Sequence, residues 1–432
     1  MVIKQKHLIA FQIYYMLIVE MLIDILHFPS IIRYVLDVNA ILIALLALNK
    51  LKIIISDKVF KRLNIYIMLY MLGAVFVSIL FATPLGRILW AFRNNYLYLI
   101  FFLCCAYTLS LKDFDSIMKN CIRFSFFNAI CVFYEYVVLH LYGDNVGGMF
   151  GSSFGCNGLL NVYLFVITAY SIVMFAKKKA SIFQLLWIVI SSLIIASVSE
   201  LKFFYIEFAL IIIFYLVLSK ASLNNTFLLL GIIVAFYVAI QIIGAIQPDI
   251  VEFFSDIDKI TSYSYSTYNN TIINRGTVFS QIHNLFFGND VRLNIFGYGL
   301  GYCEESKTFA WAQSPFATKY ASMGYRNLSA SMIILETGYL GLVAFIAIFI
   351  FIFIIAQKQK SENENKNQYF IVSQIVSLLL IINIWYNSAI RREIAYLSFL
   401  YLASIIIVLR DKRKEELKEQ QLNQPKKKSY FK

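Results

Sequence analysis

Between positions 331 and 356 the chain carries one charged side chain, Glu336, in a run otherwise made almost wholly of Ile, Leu, Phe, Ala and Gly. Such runs recur along the sequence. A bilayer core takes roughly 20 consecutive apolar residues per helix. With no water in that layer, every backbone polar group needs an internal partner, so only helices and closed barrels can span it. These runs are too long for barrel strands, so the chain reads as an all-α polytopic membrane protein. Composition agrees: 15% of the 432 residues are charged, where a soluble domain keeps about a quarter, and the mean hydropathy is +0.71.

The pattern predicts about twelve transmembrane helices, at 8–27, 31–49, 64–82, 94–110, 121–142, 157–176, 181–198, 202–219, 226–246, 331–356, 369–389 and 392–410. The lead-in to the fourth, Thr83 to Asn95, reads as a short re-entrant or interfacial piece. The first run keeps Glu20 and Asp24 and lacks a small-residue cleavage site, which predicts a retained span. The organisation is then a membrane domain over 1–246, one large extracytoplasmic loop over 247–330, a second membrane part over 331–410 and a basic cytoplasmic tail over 411–432.

Orientation follows from the short links. Lys50, Lys52, Lys58, Lys61 and Arg62 lie in one, Lys177, Lys178 and Lys179 in another, and Lys358, Lys360 and Lys366 in a third. With twelve spans all three share a side with both termini, and the positive-inside bias makes that side the cytoplasm. The net charge of +13 is accounted for by these links and the tail, with no need for a nucleic-acid partner. The tail, with Lys412, Arg413, Lys414 and Lys426 to Lys428, reads as solvated, disordered and close to anionic headgroups.

The opposite side holds 83–93, the Gly- and Ser-rich 143–156 link, and 247–330. That link is either flexible or close to something. The long segment carries Asp249, Glu252, Asp256, Asp258, Asp290, Glu304 and Glu305 against Lys259, Arg275, Arg292, Lys307, Lys319 and Arg326. Near-neutral and rich in Tyr, Asn and Ser, it reads as a folded cap, and an ordered loop of that length is usually functional. Its position after nine spans and before three argues against two equal transporter halves. Cys104, Cys105, Cys121 and Cys131 fall in apolar runs as small apolar residues. Cys156 and Cys303 fall in outer segments, where a disulfide is an option.

Ionisable residues near a bilayer need a reason. Arg87, Arg93, Arg275, Arg292, Arg326 and Lys202 all fall toward the outer side. Guanidinium groups converging there would suit a diphosphate-linked lipid, since the fork binds phosphate oxygens bidentately. The alternative for each is headgroup contact or a local ion pair. Glu20 and Asp24, four apart, share a face of the first span. They read as a proton relay or, more simply, as Asp24 at the outer boundary and Glu20 facing the bundle; Glu135 and Glu207 raise the same question, with intrahelical or interhelical pairing as the plain answer. Gly297, Gly299 and Gly301 lie in FGYGLG without the strand and helix of a dinucleotide fold, so they read as a tight turn or a close approach to a ligand.

Taken together, Arg275, the Gly297, Gly299 and Gly301 turn, the Glu336-x-Gly338-x-x-Gly341 pattern and the SVSELKFF stretch with Lys202 resemble the bacterial O-antigen polymerase and ligase superfamily. Its lipid-linked polysaccharide polymerases are often called Wzy. The resemblance implies a GT-C-like helical fold in the bacterial cytoplasmic (inner) membrane. It also implies transfer of a growing glycan from undecaprenyl diphosphate to another undecaprenyl-diphosphate-linked oligosaccharide. Arg275, Lys202 and Arg326 become the candidate catalytic residues. Arg93, Arg292, Gly297, Gly299, Gly301 and Glu336 become candidate substrate contacts. Glu336 also reads as a group that caps or hydrogen-bonds at the start of its helix. Arginines stabilising the leaving diphosphate require neither metal nor cofactor. The base for the acceptor hydroxyl stays open among Asp290, Glu304, Glu305 and His283. Tyr263, Tyr265, Tyr268, Tyr298 and Trp311 read as sugar-stacking or interfacial aromatics. Partners implied are membrane lipid and a chain-length regulator. The ligase branch carries a histidine ahead of the Glu-x-Gly helix where this chain has Arg326 and Asn327, which favours polymerase over ligase. A lipid-oligosaccharide flippase is the reading from another class.

Overall fold

The computed structural model describes residues 4–219, 241, 256, 272–306, 308–360, 362–363 and 366–423. The expected span at 226–246 falls outside these apart from residue 241, and Tyr263, Tyr265, Tyr268, Lys307 and Lys426 to Lys428 fall outside them entirely. Every regular element among the described residues is helical. Eight helices are long and apolar enough to cross a membrane: α1 (Gln5–Asp24), α2 (Ser30–Ser56), α3 (Lys61–Leu80), α4 (Leu85–Thr108), α5 (Leu111–Val138), α6 (Asn157–Ala176), α12 (Ser329–Lys360) and α13 (Asn367–Tyr386). Two shorter apolar helices, α7 (Ile182–Val198) and α8 (Lys202–Leu218), follow α6. Three short ones lie before α12: α9 (Val278–Ile282), α10 (Val291–Phe296) and α11 (Pro315–Tyr320). The last is α14 (Ala395–Asn423).

The core is set by which helices lose their lipid-accessible face. The apolar window of α6 is 94% buried, against 28% for α2 and α3. Leu69, Leu72, Phe76, Ile79 and Leu80 leave a broad apolar face of α3 uncovered. That is the pattern of a bundle in lipid, where an exposed leucine costs nothing.

Two expectations are corrected. Thr83 to Asn95 forms no separate piece, because α4 is one helix from Leu85 onward. Pro84 precedes it, in a place where a missing N–H breaks no bond, and Ile88 N–H donates to the Pro84 carbonyl (3.1 Å). The tail is helical as far as Asn423. Its Glu, Lys, Leu and Gln residues are strong helix formers, and Arg413 and Glu415 anchor it to Asp57 (3.3 Å) and Lys366 (3.2 Å).

The basic links meet at one end of the bundle. There Lys50 Nζ donates to Gln5 and Thr108 (3.0 and 2.9 Å), Lys6 pairs with Asp113 (2.8 Å), and Lys360 donates to the Leu218 carbonyl (2.6 Å). The 143–156 and 297–306 segments lie at the other end, called here the loop end. Of the two options for the Gly- and Ser-rich link, close contact is the one observed. Asp24 Oδ2 accepts from Ser152 and Ser153 N–H (both 3.0 Å), and Glu135 Oε2 accepts from Gly148 N–H (2.6 Å). Glu20 is held bidentately by Arg33 (2.5 and 2.6 Å), and Glu207 accepts from Asn383 (2.5 Å). These acids are partners of specific groups, with no Glu20–Asp24 relay. Cys156 and Cys303 are free and buried, so the optional disulfide is absent.

Candidate functional site

The loop end is organised by a break in α12. Gly338 leaves helical geometry (φ 70°, ψ −176°). The carbonyls just before it turn to the glycine-rich segment: Leu335 O accepts from Tyr298 N–H (2.8 Å) and Glu336 O from Gly299 N–H (3.0 Å). The Glu336 carboxylate extends the contact. One oxygen accepts from Gly301 N–H (2.9 Å) and the other from the Asn95 amide on α4 (3.1 Å). Ser78 Oγ takes Leu300 N–H (2.6 Å). Gly297, Gly299 and Gly301 all have positive φ. At Gly301 a Cβ would overlap the Arg87 carbonyl, and at Gly338 it would overlap the Ile295 carbonyl. The turn therefore lies close against three helices, α3, α4 and α12, because its glycines have no side chains to hold it off. Glu336 hydrogen-bonds as expected, but from two turns inside α12, just before the break, and not from the start of the helix.

Asn95 joins this turn to a buried ionic network. Arg391, in the single turn Ala389–Arg391 between α13 and α14, donates through Nε to Asn95 Oδ1 (2.6 Å). It also pairs with Glu304 (2.5 Å). The second Glu304 oxygen accepts from Asn94 (2.9 Å), and Asn94 Oδ1 accepts from Arg93 (2.6 Å). Arg93 in turn pairs with Asp37 (2.9 Å) and lies over the Trp90 and Tyr34 rings (5.2 and 5.7 Å). A narrow cleft of about 20 Å³ lies between these groups, bordered by Asp37, Arg93, Arg391, Arg392 and Glu393. Charge alternates along the network, as it must where cations are withdrawn from water.

Arg275 belongs to a second group, around Tyr386 at the end of α13. The Arg275 guanidinium stacks on the Tyr386 ring (4.5 Å) and its Nε donates to the Tyr386 carbonyl (2.8 Å). Trp385 Nε1 donates to the Arg275 carbonyl (2.8 Å). Phe203, next to Lys202 in the first turn of α8, stacks on the same tyrosine (4.0 Å). Arg275 lies in the turn just before α9, where Asn274 Oδ1 accepts from Thr277 N–H (3.0 Å).

Arg326 pairs with Glu305 and lies within electrostatic reach of Glu304 and Arg391, at the edge of the network. The remaining candidates are placed apart. Arg292 is exposed and pairs with Asp290 (3.1 Å), the N-cap of its own helix, so its ion pair points away from any shared site. Of the four candidate bases, Glu304 is tied to Arg391, Glu305 to Arg326, Asp290 to α10, and His283 to Asn294 (3.1 Å). Trp311 packs edge-on against Trp90 (6.0 Å), and Tyr298 stacks on Tyr302 (4.7 Å). Among the described residues no three His, Cys, Asp or Glu side chains gather as metal ligands would.

The hydrogen bond from Arg292 holds the Asp290 carboxyl below the usual aspartate range, with help from the backbone N–H groups it caps. A carboxyl lowered by folding contributes stability above its unfolded pKa and loses it as pH falls through the lowered value. Asp290→Ala is thus expected to speed amide exchange at 291–294 at neutral pH. The wild type should approach the variant in acid, which exchange corrected for intrinsic rates would show.

Sequence reading missed Arg391, Arg392, Arg33, Asp37 and the Asn94–Asn95 pair. One signal was present. An Arg-Arg pair between two apolar runs, on the side that should be poor in cations, opposes the positive-inside bias and so needs another cause. No family model matches the chain, and no curated protein matches it significantly.

Proposed function

We propose that the chain is a membrane glycosyltransferase joining undecaprenyl-diphosphate-linked oligosaccharide repeats into a surface polysaccharide. In this reading about twelve helices span the cytoplasmic membrane, both termini are cytoplasmic, and the loop end faces outward. The observation that carries the proposal is the docking of the Gly297–Gly301 turn on the Glu336–Gly338 break, beside a row of arginines. The turn and the break are two of the pieces on which the resemblance rests; Arg391 adds a cation that the resemblance does not include.

In the reaction an acceptor sugar hydroxyl attacks the anomeric carbon of the donor. The bond from that carbon to the diphosphate oxygen breaks, and the diphosphate leaves with the electron pair. The hydroxyl proton passes to a base or to the departing phosphate. Cations placed where that charge develops lower the barrier without a metal. Arg275 and Phe203, the neighbour of Lys202, stack on Tyr386, and Arg93, Arg391 and Arg392 border the cleft. The cleft is too small for a diphosphate as it stands. Binding must therefore displace a carboxylate partner, Asp37 or Glu393, so that its arginine can turn to the phosphate oxygens.

Arg275→Ala is expected to reduce polymer length in cells to single repeat units, with normal membrane insertion. Glycan profiles of cells carrying the variant check this, and full-length polymer would remove Arg275 from the mechanism. The same profile separates polymerase from ligase. Loss of a polymerase leaves one repeat attached to its acceptor, whereas loss of a ligase leaves none.

A further inference from the structure

A second cavity lies at the basic end, away from every residue assigned above. It encloses about 640 Å³ between the first turns of α5, the α6–α7 link and the start of α13. Lys119, Lys179 and Lys366 come to it from three different segments. The positive-inside bias explains why lysines occur on this side, but not why three of them border one concavity. Facing them is a single acid, Asp115, whose two oxygens share the one Tyr369 hydroxyl hydrogen (2.8 and 2.9 Å). That leaves Asp115 with unused acceptor capacity and no cation paired to it among the described residues. Lys366 also reaches Glu415 (3.2 Å). The Lys119 and Lys179 ammonium groups have no hydrogen-bond or ion-pair partner among the described residues.

The walls change character with depth. Lys119 and Lys179 border it as exposed side chains, while Tyr170 and Met174 are buried in its wall and Ile122 is half-buried. Ile122 lies about 16 Å along the helix from Leu111 at 1.5 Å per residue. The cavity thus runs from the headgroup level into the apolar layer. A free phosphate would use the lysines and leave the apolar wall uncovered; a lipid covers both. From this geometry we propose that the cavity binds a phospholipid carrying a primary amine on its phosphodiester, such as phosphatidylethanolamine. The phosphodiester, with one negative charge, meets Lys119 and Lys179 through charge-assisted hydrogen bonds. The ammonium group takes the open oxygens of Asp115. An acyl chain lies against Ile122 and Met174. Basic pockets between membrane helices hold lipid headgroups by this same combination of charge and depth.

The test is native mass spectrometry of the full chain released from non-ionic detergent. The probes are phosphatidylethanolamine, phosphatidylglycerol and inorganic phosphate. Wild type is expected to retain one phosphatidylethanolamine, and Lys119→Ala/Lys179→Ala to retain it about tenfold less well or worse, having lost two charge-assisted contacts. Both lysines are exposed, so this variant does not put the fold at risk. Asp115→Asn should shift the preference from phosphatidylethanolamine toward phosphatidylglycerol, a ratio read within one sample. Equal retention by wild type and the double-lysine variant overturns the proposal. So does displacement of the lipid by inorganic phosphate, which would make the site one for free anions.

Discussion

Arg391→Ala is expected to destabilise the folded protein by about 3–5 kcal/mol, the cost of leaving one member of a buried ion pair alone. The Arg391 and Glu304 side chains are 8% and 6% exposed. Removing the guanidinium strands the Glu304 carboxylate with Asn94 as its remaining polar partner, and takes from Asn95 Oδ1 its donor. The same change detaches the turn between α13 and α14 from α4. Chemical unfolding of the detergent-solubilised protein measures the loss. The decisive comparison is the double variant Arg391→Met/Glu304→Leu. Apolar replacement of both partners of a buried pair is often near neutral, so the double variant should be more stable than Arg391→Ala. In the proposed chemistry it should still make no polymer. A double variant as unstable as the single one would mean that Arg391 supports the fold through Asn95 and not through Glu304.

Gly338→Ala is expected to cost more than backbone strain alone. A non-glycine residue at φ 70°, ψ −176° carries a penalty on the order of 1–3 kcal/mol. Here the added carbon would also press on the Ile295 carbonyl and the Phe296 N–H. The glycine turn would have to lift from α12, breaking the bonds to Leu335, Glu336 and the Glu336 carboxylate. Gly288→Ala is the control, because Gly288 also has positive φ (51°) but nothing lies within 4 Å of its added carbon. It should show strain without displacement. Thermal melts of the two variants, with amide exchange at 298–301, separate the two terms. Equal melting temperatures and unchanged exchange in Gly338→Ala would mean that the turn is not held by the α12 break.

Of the roughly twelve expected spans, eight stand as helices long and apolar enough to cross a membrane among the described residues, and these were legible because apolar runs are local signals. Even so, their ends were misjudged where local chemistry favours continuation, as at Pro84 and in the Glu- and Lys-rich tail. The glycine turn and Glu336 could be singled out because glycine in a patterned run marks a backbone constraint. Their mutual contact could not, since it depends on carbonyls freed by a break that hydropathy does not register. The ionic network was hidden for a different reason. Arg391 finds Glu304 across 87 positions and Asn95 across 296, and nothing local tells a buried arginine from one at the headgroups. Arg292 shows the converse error: its neighbour Asp290, two positions away, already takes its charge.

The backbone bonds from Tyr298 and Gly299 to α12 have a mechanical consequence. They splice part of the loop end to a long apolar helix as firmly as one helical turn is joined to the next. The 297–301 segment cannot act as a lid that swings away while α12 stays still. In the proposed chemistry, an opening that admits a bulky glycan must either carry α12 with it or take place where the splice does not reach, on the side of Arg275 and Tyr386. Under that proposal a crosslink between positions 298 and 335 should leave polymer formation intact, while one that fixes 275 to 386 should stop it.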